Sequence, residues 1–217
     1  MIKICDTTLR DAKYTPRVFY SEEEQLHIAS FLNEIGVDEA ELGIPNFSQK
    51  EFNTILKINK RKNKFQSSAL FFCTKKNKIE DSILKIIDCG CNAVCISIPV
   101  SENFVKKKLG RTLKGAMTLM EQAVDFAVRN GLYTIFSGED ASRANVVFLK
   151  EYIKLGETIG ASRFRFSESV SFLEPSSVGK YFEEIKRDIK IDLEIHSHTA
   201  FGLGLANCIS AFYNGAN

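Results

Sequence analysis

Seven times along these 217 residues a short β-branched or apolar run is followed by a stretch with helical period, and nothing else in the chain restricts the fold so strongly. The runs are 2–5, 39–43, 66–73, 93–99, 133–137, 163–167 and 191–198. The helical stretches are 21–36, 48–60, 79–89, 113–129, 146–159, 176–187 and 203–213. Ser21 with Glu24 three residues on reads as a capping box, and Gly36 as the stop of that helix. Ser48 caps the next helix, and Gly90 and Gly131 end two others. The run 93–99 is almost wholly apolar, as in a parallel sheet covered on both faces.

Repeats of roughly 30 residues are βαβ spacing. No proline- or serine-rich linker interrupts them, so the chain reads as one domain of α/β class. Seven consecutive units without a sheet-reversal signal favour a TIM (β/α)8 barrel over a doubly wound sheet. The barrel is incomplete, because an eighth strand would begin where the sequence stops, at Asn217. Either a partner supplies the missing wall or the sequence is a fragment. The first and seventh strands are then expected to flank a gap with unpaired backbone. The first and last helices should show uncovered apolar faces. The 217-residue chain alone is expected to be weakly stable and to associate with itself or aggregate.

Composition removes other classes. With 44% hydrophobic and 26% charged residues the chain is globular rather than disordered. A net charge of +2 lacks the footprint of a nucleic-acid binder, and the basic run 57–64 is diluted by Ile58, Asn59 and Asn63. No apolar stretch approaches the roughly 20 residues of a membrane span. The N-terminus enters a structured segment without a signal-peptide pattern. Cys5, Cys73, Cys89, Cys91, Cys95 and Cys208 contain no CxxC pair, so they read as buried thiols and the location as cytoplasmic.

In such a barrel the chemistry gathers at the carboxyl ends of the strands, with apolar strand bodies below. His196 and His198 stand two apart on the seventh strand, so both rings leave from one face. Two ring nitrogens and a carboxylate make a divalent-metal site with open positions, and Asp11 after the first strand is the natural carboxylate. The other reading leaves both histidines as ordinary polar residues at a strand end. His27, in mid-helix, reads as structural or surface. Arg10 has two readings as well: an ion pair with Glu139 or Asp140, or a cation placed to meet negative charge that develops in a reaction. Ser137, Glu139, Arg143 and Ser169 are further candidates at the rim.

Taken in order, the segments Asp6-Thr7-Thr8-Leu9-Arg10-Asp11, Glu41-Leu42-Gly43-Ile44-Pro45, Glu139-Asp140-Ala141-Ser142-Arg143 and His196-x-His198 with Gly202 and Ala206-Asn207 resemble the DRE-TIM metallolyase superfamily. That family holds the isopropylmalate, citramalate and homocitrate synthases and hydroxymethylglutaryl-CoA lyase. Ser97-Ile98-Pro99-Val100-Ser101, Lys108-Leu109-Gly110-Arg111 and Phe164-Arg165-Phe166 look most like homocitrate synthases of the nitrogen-fixation type. The resemblance covers nearly the whole chain and implies that residues 1–217 form a pyruvate-carboxyltransferase-like catalytic barrel. That barrel would lack its eighth strand and C-terminal helical region.

The resemblance implies an acyltransferase that condenses acetyl-CoA with a 2-oxo acid, 2-oxoglutarate for the homocitrate type, and then hydrolyses the thioester. Citramalate, isopropylmalate or citrate synthesis and a catalytically impaired subunit are the alternatives. Carried over by position, Asp11, His196 and His198 would ligate a divalent cation (Mg, Mn or Zn). Arg10 would stabilise the enolate and keto oxygen, and Ser169 would hold the substrate carboxylate; of the rim candidates, Glu139 is read as catalytic and Ser137 as substrate-binding. The implied partners are acetyl-CoA and the 2-oxo acid, with a second copy or a complementing C-terminal chain. Departures stand beside these matches. Ala12-Lys13-Tyr14 replaces the usual Gly-Glu-Gln, Thr199-Ala200 replaces an Asn-Asp or Asp-Asp pair, and Glu168-Ser169-Val170-Ser171 replaces Asp-Thr-x-Gly.

Overall fold

Seven parallel strands lie side by side in chain order in the computed structural model, which describes residues 2–74 and 78–217. They are β1 (Cys5–Asp6), β2 (Glu39–Glu41), β3 (Gln66–Phe72), β4 (Ala93–Pro99), β5 (Tyr133–Glu139), β6 (Arg163–Glu168) and β7 (Asp192–Ser197). The helices are α1 (Glu22–Ile35), α2 (Gln49–Asn59), α3 (Ile79–Asp88), the short α4 (Glu102–Phe104), α5 (Leu113–Arg129), α6 (Val146–Ile159), α7 (Pro175–Lys186) and α8 (Gly204–Tyr213). The sequence gives no warning of α4, which runs on into a π-helical turn, Val105–Leu109. The seven strands form an incomplete TIM-like barrel.

Local signals set the boundaries. The Ser21 hydroxyl accepts from the Glu24 N–H while the Glu24 carboxylate takes the Ser21 N–H, and Gly36 closes α1 at φ 80°. Ser48 caps α2 by accepting the Glu51 N–H, and Asn145 caps α6 by accepting the Val147 and Phe148 N–H groups. Alternate strand residues then face the helices. Ala40, Phe71, Val94, Ile96, Phe136, Phe164, Phe166 and Leu193 are buried there with the inner faces of the helices. Phe136, Tyr152 and Phe164 pack ring against ring. Gly156 lets α6 come that close: a Cβ there would lie 2.3 Å from the Phe136 ring.

The other alternate set faces the barrel interior, and here the expectation of apolar strand bodies fails. Among the described residues only Ile44, Leu70, Ala93, Cys95 and Ile135, with Phe72 and Tyr133, form an inner apolar cluster. Beside it lies a buried ionic lattice. Arg163 bonds Glu39 at 2.5 Å and pairs with Glu194 at 2.8 Å, and Arg165 bonds Glu41 at 2.6 Å and Glu194 at 2.7 Å. The Ser68 hydroxyl donates to Glu39 at 2.6 Å. Links from β6 to β2 cross the interior, so the sheet curls. Guanidinium and carboxylate fit one another bidentately, which lets such groups leave water together.

Two edge expectations need correction. β1 comprises only Cys5–Asp6, not residues 2–5. Its one strand neighbour among the described residues, β2, is three residues long, and no described strand pairs with its other side, so Ile2 and Ile4 stay exposed. β7 pairs with β6 on one side only, yet Leu193 is not orphaned. Its N–H donates to Asn217 Oδ1 at 3.0 Å and its carbonyl accepts from the Asn217 N–H at 2.9 Å. As expected, α1 and α8 leave apolar side chains in water: Phe31 and Ile35 on one, Leu205, Ile209 and Tyr213 on the other. Size-exclusion chromatography of the 217-residue chain is expected to show concentration-dependent self-association. A sharp monomeric peak with a high melting temperature would show that these faces and edges are no liability.

Candidate active site

The carboxyl ends of the strands surround a cavity of about 280 Å³. Asp11, His196 and His198 stand on one wall, and Ser137, Glu139 and Lys108 are among the other lining residues. His196 is in β7 and His198 one residue beyond it, so the alternation of the strand sends both rings inward, 5.2 Å apart. Asp11 reaches them from the opposite edge of the sheet. A tight turn in which Arg10 and Asp11 both donate N–H to the Thr7 carbonyl swings the chain inward after β1.

The three side chains converge. Asp11 Oδ2 lies 3.1 Å from His196 Nε2 and 3.6 Å from His198 Nε2, and one donor atom from each residue falls within 4.8 Å of the others. Two ligands held about 2.1 Å from a shared ion are about 3.0–3.4 Å apart at octahedral to tetrahedral angles. The Asp11–His196 spacing falls in that span and the Asp11–His198 spacing lies just above it, and two imidazole nitrogens with one carboxylate oxygen are a donor set for a divalent cation. His198 is also oriented from behind. Its Nδ1 lies 2.9 Å from the Ser169 carbonyl, which can only accept, so Nδ1 carries the proton and Nε2 is the atom turned to Asp11. The His196 and His198 rings beside it, with the charge of Arg10, hold the Asp11 carboxyl far below the usual range. The Asp11 carboxylate facing it pushes His198 up, against the effect of burial.

Arg10 is buried and makes two ion pairs, with Asp11 at 2.7 Å and with Glu41. Glu139 and Asp140, the partners expected from the sequence, are taken elsewhere. Lys108 pairs with Glu139, and Arg143 pairs with Asp140 at 2.7 Å. Glu41 sits at the centre of the lattice, bound by Arg10 and Arg165. Burial alone would raise its pKa, but the two guanidiniums bring it down to about 2.

The sequence candidates divide as follows. Arg10, Asp11, Ser137, Glu139, Ser169, His196 and His198 all line the one cavity. Arg143 does not, and opens onto a separate surface hollow with Lys106 and Asn145. Ser137 and Ser169 are already engaged: Ser137 with the Ser167 hydroxyl at 2.7 Å, and Ser169 as acceptor of the Asp140 N–H at 3.0 Å. Sequence reasoning missed Ser167, Lys108 and Phe104 as cavity residues; Lys108 Nζ lies 4.2 Å above the Phe104 ring. It also missed Glu41, Arg165 and Glu194 beneath the site. One signal for these was present, the strict charged–aromatic alternation Arg163-Phe164-Arg165-Phe166.

The chain is similar to known proteins over nearly its whole length. A 2-isopropylmalate synthase from Caldanaerobacter subterraneus subsp. tengcongensis is 35% identical over 215 residues, which cover 99% of this chain and 55% of that protein. The homocitrate synthase subunit alpha of Clostridium pasteurianum is 31% identical, over 99% of this chain and 78% of its own. The chain thus spans about half the length of the first relative and more of the second. Among solved structures, the HMG-CoA lyase of Brucella melitensis superposes with a TM-score of 0.84 at 14% identity, covering 99% of this chain and 78% of that one, a likeness of fold. The HMGL-like family pattern matches residues 1–217, and with the converging Asp11, His196 and His198 in place, the chain belongs to the HMGL-like, or DRE-TIM, family.

Proposed function

We propose that this chain is the catalytic barrel of a 2-oxo-acid acyltransferase of the homocitrate synthase kind, which condenses acetyl-CoA with 2-oxoglutarate and hydrolyses the thioester. The observation that carries this reading is the convergence of Asp11, His196 and His198 beside Arg10 in one cavity. The named activities of the relatives, isopropylmalate and homocitrate synthesis, support the reaction class. In this reading the two histidines and Asp11 hold a divalent cation. When bound, that cation supplies a Lewis acid for the keto group of the 2-oxo acid.

The chain's own residues do the rest. Only two of the five N–H groups of Arg10 are spent on Glu41 and Asp11, and its remaining donors face negative charge that grows on the substrate oxygens. Glu139 offers a carboxylate to the cavity for proton transfer at the acetyl methyl, its position held by Lys108. The Ser137 and Ser169 hydroxyls contribute to holding the substrate carboxylate, Ser169 once it turns from the Asp140 N–H. Burial of the ionic lattice below keeps water from that side of the cavity. In this reading a strand and a helix, from a continuation of this chain or from a second chain, lie between β7 and β1. The open edges and the exposed faces of α1 and α8 support it, as does the name of the Clostridium relative, an alpha subunit.

Binding of Mn²⁺ to the chain tests the reading at its root. Calorimetry is expected to show one site per chain. His196→Ala should weaken it by more than the roughly 10–100-fold typical of losing a residue that only supports a ligand. Thiol release from acetyl-CoA is then compared with 2-oxoglutarate, 2-oxoisovalerate and pyruvate, with and without chelator. Preference for 2-oxoglutarate is expected. Preference for 2-oxoisovalerate would move the assignment to isopropylmalate synthesis, and unaltered Mn²⁺ binding in His196→Ala would remove the triad from it.

A further inference from the structure

We infer that Glu168 is a positioning residue for His198: it closes a five-residue loop whose carbonyl fixes the orientation and tautomer of that ring. The inference rests on the reading of Asp11, His196 and His198 as cation ligands. Glu168 ends β6 and is fully buried. Its Oε1 accepts the Phe172 N–H at 2.7 Å, so the side chain bridges the loop 168–172 end to end. Its Oε2 is buried and has no hydrogen-bond partner among the described residues. A fully buried carboxylate with one oxygen unsatisfied is costly to hold, and what it supplies in return is the acceptor for the Phe172 N–H.

What the loop does is visible in its bonds to the segment after β7. The Glu168 carbonyl accepts the His198 N–H at 3.3 Å, the Ser169 carbonyl faces His198 Nδ1 at 2.9 Å, and the Ser171 hydroxyl accepts the Ala200 N–H at 3.0 Å. The His198 ring therefore has its rear nitrogen clamped by a backbone group. That group stays in place only while the loop keeps its shape. The shape is strained: Ser171 lies at φ 53°, in the left-handed region that disfavours side chains. The pattern this segment resembles, Asp-Thr-x-Gly, has glycine there. Here serine occupies the strained position, and the acid four residues before Phe172 is a glutamate. A loop that must hold a serine at positive φ needs an outside restraint, and the Glu168 bridge with the Ser171–Ala200 bond provides two.

Mn²⁺ titration of Glu168→Ala and Glu168→Gln, with the parent beside them, tests this. The Gln amide oxygen can still accept from Phe172 N–H, so Gln is expected to bind Mn²⁺ nearly as the parent does. Ala is expected to bind roughly 10–100-fold more weakly. In long-range ¹H–¹⁵N spectra, His198 should carry its proton on Nδ1 in the parent and in Gln, and exchange between tautomers in Ala. If Glu168→Ala does not fold, Ser171→Ala, which removes only the Ala200 acceptor, carries the same expectation at smaller amplitude. A folded Glu168→Ala with parental Mn²⁺ affinity and an unaltered His198 tautomer overturns the inference and leaves the triad standing. A parent that binds no Mn²⁺ overturns the triad first and this inference with it.

Discussion

Replacing Arg165 by methionine is expected to remove about 3–5 kcal/mol of stability, a large part of the roughly 5–15 kcal/mol that holds a domain together. The Arg165 side chain is 1% exposed and shared between Glu41 and Glu194. Methionine fills similar volume, so the loss reads the charge rather than a cavity. Glu41 would keep Arg10 and Glu194 would keep Arg163, but each carboxylate would face one cation instead of two, Glu41 fully buried and Glu194 mostly so. Urea unfolding monitored by circular dichroism measures the effect. A further Glu41→Gln change on Arg165→Met should recover part of it, because the uncompensated charge leaves with its partner. A loss under 1 kcal/mol for Arg165→Met would show that the lattice tolerates unequal charge. Acid titration gives the same quantity from the other side. Glu41 lies at about 2 in the folded chain against 4.5 ordinarily. Its contribution, roughly 3 kcal/mol, is therefore complete above about pH 4.5 and lost as pH falls through 2. Glu41→Gln should be less stable at neutral pH, and its stability should fall less over that window.

That lattice marks the limit of what periodicity could reveal. A parallel strand is read from its apolar run, and β4 is legible because all seven of its residues are buried. β6 is just as buried, yet half of it is arginine and serine. The alternation Arg163-Phe164-Arg165-Phe166 is that of a strand whose two faces meet different surroundings, helices on one side and carboxylates on the other. Two of the carboxylates, Glu39 and Glu41, come 124 residues earlier, and no local rule pairs groups that far apart. The histidine pair was legible because its geometry is local: positions two apart on one strand. Asp11 became legible once the barrel was assumed, since closure brings the ends of β1 and β7 together. The partner of Arg10 was misread for the same reason. Glu139 and Asp140 are at a strand end, as Arg10 is, but Glu41 comes from the neighbouring strand, and adjacency in the sheet decided the pairing.

Arg10→Ala is expected to lower turnover in the condensation proposed above by two or more orders of magnitude, the scale of losing one donor aimed at a developing oxyanion. The residue could instead be a structural link, since it joins Glu41 to Asp11. The two roles separate on measurement. A structural link would lower stability and Mn²⁺ affinity as much as turnover, because Glu41 would lose one of its two cations and Asp11 its guanidinium neighbour. A group acting on reaction charge would lower kcat most and leave Mn²⁺ binding largely in place. Arg10→Lys sharpens the contrast. An ammonium keeps the charge but not the planar fork that reaches Glu41, Asp11 and the cavity at once. Lysine should therefore restore much of the stability lost in Arg10→Ala and little of the turnover. Thiol release from acetyl-CoA with 2-oxoglutarate, measured beside urea unfolding for both variants, distinguishes them. If Arg10→Lys regained stability and turnover together, Arg10 would belong to the lattice, and the charge that grows on the substrate would have to be met by other groups lining the cavity, Lys108 first among them.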